Sequence, residues 1–280
     1  MQFTPQQLTG GPRFQHRTRI GNWNEDLELE EIKMKDFLKK KEMGSLLVNT
    51  KQQMLEECLQ RVDLDTSDDG ALHFGQRIML VNHQSESWLC ANPHDKVPKE
   101  FDACVLTTGP NNTSCVRNVF VLERADDDDG FPGDMVHYGQ DFRLRLEPFS
   151  DMAGPMYMHS ELVTALASSK FSRCQEVVVG GTRGGSTLWQ VLFPDSQQRF
   201  EMEGTPVPAG CNCVLRHVQT GSFLASDKIP YQNIFGQEFE VHCHPYYSIN
   251  KTQNLTSEKK GEITGDYALR RHGLANVWNI

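Results

Sequence analysis

The chain has 280 residues, with 28 basic against 37 acidic ones and a net charge of −9. A net acidic chain binds phosphate backbones poorly and is repelled by anionic membrane surfaces, so neither nucleic acid nor membrane is expected as a partner. No run of about 18 apolar residues occurs, which leaves no candidate helical membrane span, and a chain this long can bury a core without disulfide staples.

Residues 1–20 hold Arg13, His16, Arg17 and Arg19 and no acid. Their Gln, Thr, Gly and Pro content predicts a flexible basic arm that a partner can order. The opening Met1-Gln2-Phe3-Thr4-Pro5 lacks a charged-then-apolar signal pattern. The eight cysteines are therefore expected to be reduced thiols, and the Asn-X-Ser/Thr sequons at Asn111, Asn112, Asn250 and Asn254 to stay unused. Residues 21–70 read as a helical segment. Asn24 is the expected N-cap of a first helix, with Glu25 and Asp26 in its first turn. Leu27, Met34, Phe37 and Leu38 form an apolar stripe, Lys39, Lys40 and Lys41 sit at the other end, and Gly44 is the stop. A second helix is expected from about Ser45 to Gln60, with Leu47, Met54, Leu55, Cys58 and Leu59 on one side. Helices of this length are marginal alone, so their stripes need a surface to pack on, in this chain or in another protein. The acidic stretch Asp63 to Asp69 then leads into a β region over residues 71–280, in which Asp126 to Asp129 with Gly130 reads as a solvated loop.

That region carries one pattern three times. Gly75, Gly139 and Gly210 each open an alternating apolar strand, with Ile78, Phe142 or Cys213 three residues on and Leu80, Leu144 or Leu215 five residues on. An aromatic-apolar pair follows: Trp88-Leu89, Tyr157-Met158 and Phe223-Leu224. Each copy closes on a ring: Phe120, Trp189 or Trp278. The step from Leu89 to Phe120 is 31 residues, and so is that from Met158 to Trp189. From Leu224 to Trp278 it is 54, an insertion of 23 in the third copy. Three copies of a long period are too few for a solenoid. They suit a mainly β fold closed by pseudo-threefold symmetry: a β-trefoil of three MIR-like repeats, preceded by the basic arm and two α-helices. The repeat residues are read as fold rather than site.

Chemistry is sparse. Asp65, Ser67, Asp69, Gly70 and Leu72 match five positions of an EF-hand loop, but its twelfth position is Gln76, which loses the bidentate carboxylate. Cys211, Cys213 and His217, with His242, Cys243 and His244, make a zinc site across two strands conceivable. Against this, Cys213 occupies a core position of the repeat and His217 matches Asn82, a polar slot at a strand end. Neither metal nor cofactor is expected. The glycine cluster at 180–185 lacks the Lys-Ser/Thr of a phosphate loop, no Gly-X-Ser-X-Gly elbow occurs, and no spacing singles out a nucleophile with its base. An enzyme is not expected.

Several short motifs carry a family resemblance. They are Arg19-Ile20-Gly21-Asn22-Trp23-Asn24-Glu25, Tyr138-Gly139-Gln140-Asp141-Phe142, Phe193-Pro194-Asp195, Glu203-Gly204-Thr205-Pro206-Val207-Pro208-Ala209, and Phe235-Gly236-Gln237-Glu238-Phe239-Glu240-Val241. In this order, from about Arg19 to Trp278, the chain resembles the cilia- and flagella-associated protein 161 family. The resemblance implies a structural microtubule inner protein in the cytoskeleton of the cilium or flagellum. It would sit in the lumen of the A-tubule of axonemal doublets, bind tubulin and neighbouring inner proteins, and stabilise the axoneme for motility. Arg13, Arg17, Arg19 and Trp23 are the candidate partner contacts, Trp23 having the alternative role of stapling the first helix to the β body. A ligand-binding β-trefoil for glycan or phosphoinositide is the rival reading. It needs matching polar and aromatic residues in each copy, whereas the copies match at apolar positions and diverge at polar ones.

Overall fold

The computed structural model describes residues 23–97, 100–125, 134–146, 154–165, 167–196, 198–246, 259–260 and 272–280. The chain divides into two compact units, Met1–Met54 and Leu55–Ile280.

In the first unit a helix spans Trp23–Glu42. It already includes Trp23 and Asn24, so Asn24 lies in the first turn and is not the N-cap. The other end stops as expected. Gly44 takes φ +68°, its N–H donates to the Lys41 carbonyl at 3.2 Å, and the Ser45 N–H donates to that of Lys40 at 2.9 Å. This pair of bonds is a Schellman stop, which a residue with a Cβ closes less readily. A second helix spans Leu47–Cys58, shorter at both ends than the apolar pattern suggested.

The second unit is mainly β. The first copy of the repeat supplies β1 (Arg77–Ile78), β2 (Val81–Asn82), β3 (Ser87–Val97), β4 (Glu100–Gly109) and β5 (Phe120–Arg124). The second supplies β6 (Asp141–Leu146), β7 (Met156–Ser160), β8 (Gln175–Gly180) and β9 (Trp189–Leu192). The third supplies β10 (Asn212–His217), β11 (Leu224–Ala225), β14 (His242–Cys243) and β15 (Val277–Asn279), and its insertion includes a hairpin, β12 (Pro230–Asn233) with β13 (Gly236–Glu240). Nine strands close a ring in the order β8-β7-β6-β9-β10-β15-β2-β3-β4, sealed by the β4–β8 pairing.

The pairings repeat threefold. The strand after each glycine pairs with the strand that begins on or carries the ring residue of its own copy: β1–β5, β6–β9 and β10–β15. That ring-bearing strand also pairs with the opening strand of the next copy: β5–β6, β9–β10 and β15–β2. Each copy adds a hairpin: β3–β4, β7–β8 and β11–β14.

The three glycines adopt φ of +88°, +81° and +73°. Each donates its N–H to the carbonyl two residues beyond the ring position: Gly75 to Leu122 at 2.7 Å, Gly139 to Val191 at 2.9 Å and Gly210 to Ile280 at 2.6 Å. A Cβ at Gly75 or Gly210 would meet no atom within 4 Å, so a substitution there strains only the backbone. Gly75→Ala and Gly210→Ala are each expected to cost about 1–2 kcal/mol, the penalty of a left-handed L-residue. Equilibrium denaturation checks this, and an unchanged midpoint would contradict it.

Three residues before each glycine lies a buried apolar residue: Leu72, Val136 and Val207. Their backbones form a closed cycle. Leu72 N–H donates to Val207 O at 2.9 Å, Val207 N–H to Val136 O at 2.8 Å, and Val136 N–H to Leu72 O at 2.8 Å. The core above it is built from the repeat positions. Leu80, Leu144, Leu215, Phe120, Trp189 and Trp278 are each 0% exposed. The indole N–H of Trp189 donates to the Met158 carbonyl at 2.9 Å, and that of Trp278 to the matching Leu224 carbonyl at 3.1 Å.

Candidate interaction surfaces

Arg13, Arg17 and Arg19 lie outside the described residues, as does the side chain of Trp23. The helix that follows them does carry the apolar character expected of a contact surface. Leu29, Ile32, Met34, Phe37 and Leu38 are between 47% and 61% exposed. Every described side chain from Glu28 to Ser45 is exposed. The helix is supported locally by Glu31–Lys35 at 3.8 Å and Asp36–Lys40 at 2.7 Å, exposed pairs worth only a few tenths of a kcal/mol each. Its apolar side chains gain nothing from water, which leaves them available to a partner.

On the β body the charged residues of the third-copy hairpin are internal. Arg117 and Glu238 form a bidentate pair, Nη1 to Oε1 at 2.8 Å and Nη2 to Oε2 at 3.0 Å, with side chains 3% and 2% exposed. Arg117 Nε donates to the Ala91 carbonyl at 3.1 Å, and its guanidinium lies 3.6 Å from the centre of the Phe235 ring. Thr107 Oγ1 and Asn233 Nδ2 donate to Glu238 Oε2 at 2.6 and 2.5 Å. Glu240 accepts the backbone N–H groups of Phe171 and Ser172, both at 2.8 Å, and so fixes a loop of the second copy. Phe235, Glu238 and Glu240 of the Phe235–Val241 motif thus pin the inserted hairpin to β4 and to the 165–174 loop. A Cβ at Gly109 would sit 2.6 Å from Glu238 Oε1, so glycine there keeps room for the carboxylate.

Burial alone would raise the Glu238 pKa, but the hydrogen bonds and charge of Arg117, with Thr107 and Asn233, outweigh it and hold the carboxyl below its ordinary 4.5. Burial holds His217 and His242 below their ordinary 6.5, and burial with Arg199 nearby brings His272 to about 4. His217 fits a neutral ring: Nε2 donates to the Ser186 carbonyl at 2.8 Å and Nδ1 faces the Thr220 hydroxyl at 2.8 Å. All four groups have depressed folded-state values, so their stabilisation is complete above the unfolded-state pKa and is lost as pH falls. The thermal midpoint is expected to decline below about pH 6.5, as the histidines take up protons in the unfolded state, and to decline further below about pH 4.5, where Glu238 joins. A midpoint that stays flat from pH 8 to pH 4 would contradict this.

The residues weighed as metal candidates make structural hydrogen bonds. Asp65 Oδ2 accepts the Arg77 N–H at 2.9 Å, Ser67 Oγ accepts the Gln76 amide at 2.6 Å, and Asp69 Oδ1 accepts the Ala71 N–H at 3.1 Å. Cys213 pairs with Trp278 in the core, while His242 and Cys243 pair with Ala225 and Leu224 on another strand pair. Among the described residues no group of three His, Cys, Asp or Glu side chains could hold a metal ion. All eight cysteines are free, and burial pushes the thiols of Cys58, Cys90 and Cys104 up to about 11, 12 and 12.

One open cavity of about 360 Å³ lies on the body between β3, the 165–174 loop and the inserted hairpin. Sequence reasoning missed it because its walls come from all three copies. Leu162, Val163 and Phe171, exposed apolar residues near one wall, are a local signal of it.

Comparison with known proteins agrees with the motif pattern. A family model described as the cilia- and flagella-associated protein 161-like domain matches residues 92–257. Cilia- and flagella-associated protein 161 of Bos taurus is 34% identical over 254 residues, covering 85% of this chain and 78% of that protein. The Danio rerio protein of the same name is 30% identical over 256 residues, covering 85% and 83%. That of Mus musculus is 31% identical over 253 residues, covering 84% and 83%. Among solved structures, the SDF2-like protein from Arabidopsis thaliana aligns with a TM-score of 0.53 at 18% identity, covering 75% of this chain and 93% of that one. A Caenorhabditis elegans protein of unknown function aligns with a TM-score of 0.52 at 16% identity, covering 76% and 97%. At such identities the structural likeness speaks for the fold alone. The family match spans more than half of the chain and the relatives span most of it: the chain belongs to the cilia- and flagella-associated protein 161 family.

Proposed function

We propose that this chain is a structural, non-enzymatic β-trefoil protein of the cilium or flagellum that docks in the lumen of the doublet A-tubule. There it contacts tubulin and neighbouring inner proteins and stiffens the axoneme for motility. The observation that carries this reading is family membership across 84–85% of the chain. The trefoil assignment rests on the sixfold alternation of opening and ring-bearing strands, with one hairpin per copy. The exposed apolar helix Trp23–Glu42, following an arm with Arg13, Arg17 and Arg19, supports docking by the N-terminal segment. Such extended contacts order on binding, and several weak ones add through effective concentration. The charged residues of the inserted hairpin serve the body's own packing, which suits a rigid element of a lattice.

Removal of residues 1–24 from a tagged chain expressed in ciliated cells tests the contact claim. Incorporation into salt-washed axonemes is expected to fall about tenfold or more, the order expected when one of several linked contacts is lost. Undiminished incorporation would remove Arg13, Arg17, Arg19 and Trp23 from the interface.

A further inference from the structure

The 360 Å³ cavity combines an apolar floor with an uneven distribution of charge. Val97, Val105, Val177 and Val241 line its depth, and Tyr231 forms one wall. A volume near the lower end of known ligand sites, roughly 300–1,000 Å³, suits one large side chain with part of its backbone.

Three acids and three cations share the lining, but they are not equivalent. The acids are engaged in the wall. Asp95 Oδ2 accepts the Tyr231 hydroxyl at 2.5 Å, Glu240 is 1% exposed with both oxygens on backbone N–H groups, and half-buried Glu176 has a partner as well. The cations stand at the rim. Lys96, Lys170 and Arg173 are exposed, and none makes an ion pair among the described residues. Lys170 Nζ sits 4.9 Å from the centre of the Tyr231 ring and 5.5 Å from that of Phe171, which holds its charge at the mouth. The loop that supplies Ala165 and Ser168 to the wall also exposes Leu162 and Val163. The lining balances in charge, three acids against three cations, but the exposed charges at the mouth are the cations while the carboxylates are held in the wall, beside an apolar hole.

We propose that this cavity is a docking pocket for an acidic peptide segment of another protein, which inserts one large apolar side chain between the valines and places its carboxylates on Lys96, Lys170 and Arg173. Charge complementarity selects the occupant. On a chain of net charge −9, three exposed cations beside one apolar opening are a favourable place for such a segment's carboxylates. The apolar anchor supplies the buried contact that a rim of charge alone does not.

An array of hexapeptides tests this with the purified full chain. Each peptide carries one Phe, Leu or Ala anchor flanked by Glu, Lys or Ser. Glu-flanked Phe and Leu peptides are expected to retain the chain, and Ala-anchored or Lys-flanked ones are not. The double variant Lys170→Glu/Arg173→Glu changes only exposed side chains, and its thermal melt verifies folding. It is expected to reduce retention about tenfold or more, as is high salt. Equal retention by Ser- or Lys-flanked peptides, or retention that the double variant leaves unchanged, would overturn the proposal. Binding of phosphatidylserine vesicles without binding of Glu-flanked peptides would overturn it in favour of a lipid headgroup. The assay contains no axoneme, so its failure leaves the docking proposal above standing.

Discussion

Arg117→Ala is expected to destabilise the fold by about 3–5 kcal/mol, the cost of leaving a buried charge without its partner. The variant strips two hydrogen bonds and a counter-charge from the Glu238 carboxylate, a group 2% exposed in the native fold. It also removes the cation from the Phe235 ring and the donor from the Ala91 carbonyl. The inserted hairpin should loosen first, since the backbone pairing of β13 with β4 is short, Phe239 with Thr108 and Glu240 with Thr107. The paired replacement Arg117→Met/Glu238→Leu discriminates the cause. Removing both charges together often approaches neutrality, because no orphan ion remains. Chemical denaturation of both variants reads the difference. A loss below about 1 kcal/mol in Arg117→Ala would mean that Glu238 finds water or protonates at little cost.

Trp189→Ala is the second large effect, at about 3–5 kcal/mol for truncating a buried aromatic. Trp189 is 0% exposed, pairs with Phe142 and His217 across its two neighbouring strands, and holds the Met158 carbonyl. Trp189→Phe separates packing from hydrogen bonding. Phe120 holds the matching position in the first copy with no indole N–H, so a phenyl ring suits the site in shape. The remaining cost should be about 1–3 kcal/mol, that of an orphaned buried carbonyl. A Trp189→Ala loss well under 1 kcal/mol would contradict its place in the core.

The threefold body was legible because its determinants are local. A glycine that needs φ above zero, a leucine five residues on and a closing ring each leave a mark at fixed spacing. All of them fall where the spacing placed them, at φ near +80° for Gly139 and at 0% exposure for Leu144 and Trp189. The cycle through Leu72, Val136 and Val207 was not legible, since it is made of backbone groups whose side chains are merely apolar. Arg117 and Glu238 are 121 residues apart, and no pattern in either neighbourhood announces the other. The motif around Glu238 stood out as a family mark, yet its role emerges only once β13 lies on β4. Asn24 failed as a cap because its residue type suits a first turn as well as an N-cap, and preference alone cannot place a boundary to within a residue. The candidate contacts Arg13, Arg17 and Arg19 fall outside the described residues, so the support for the proposed N-terminal docking comes from the exposed helix that follows them in sequence.

The most direct measurement of the central claim is a side-chain-resolution map of doublet microtubules from cilia that contain this protein. The expected result is a three-lobed β body on the luminal wall of the A-tubule, with Phe37 and Leu38 of the leading helix covered by a neighbouring subunit. A body bound to the outer surface, or doublets that lack it altogether, would contradict the account.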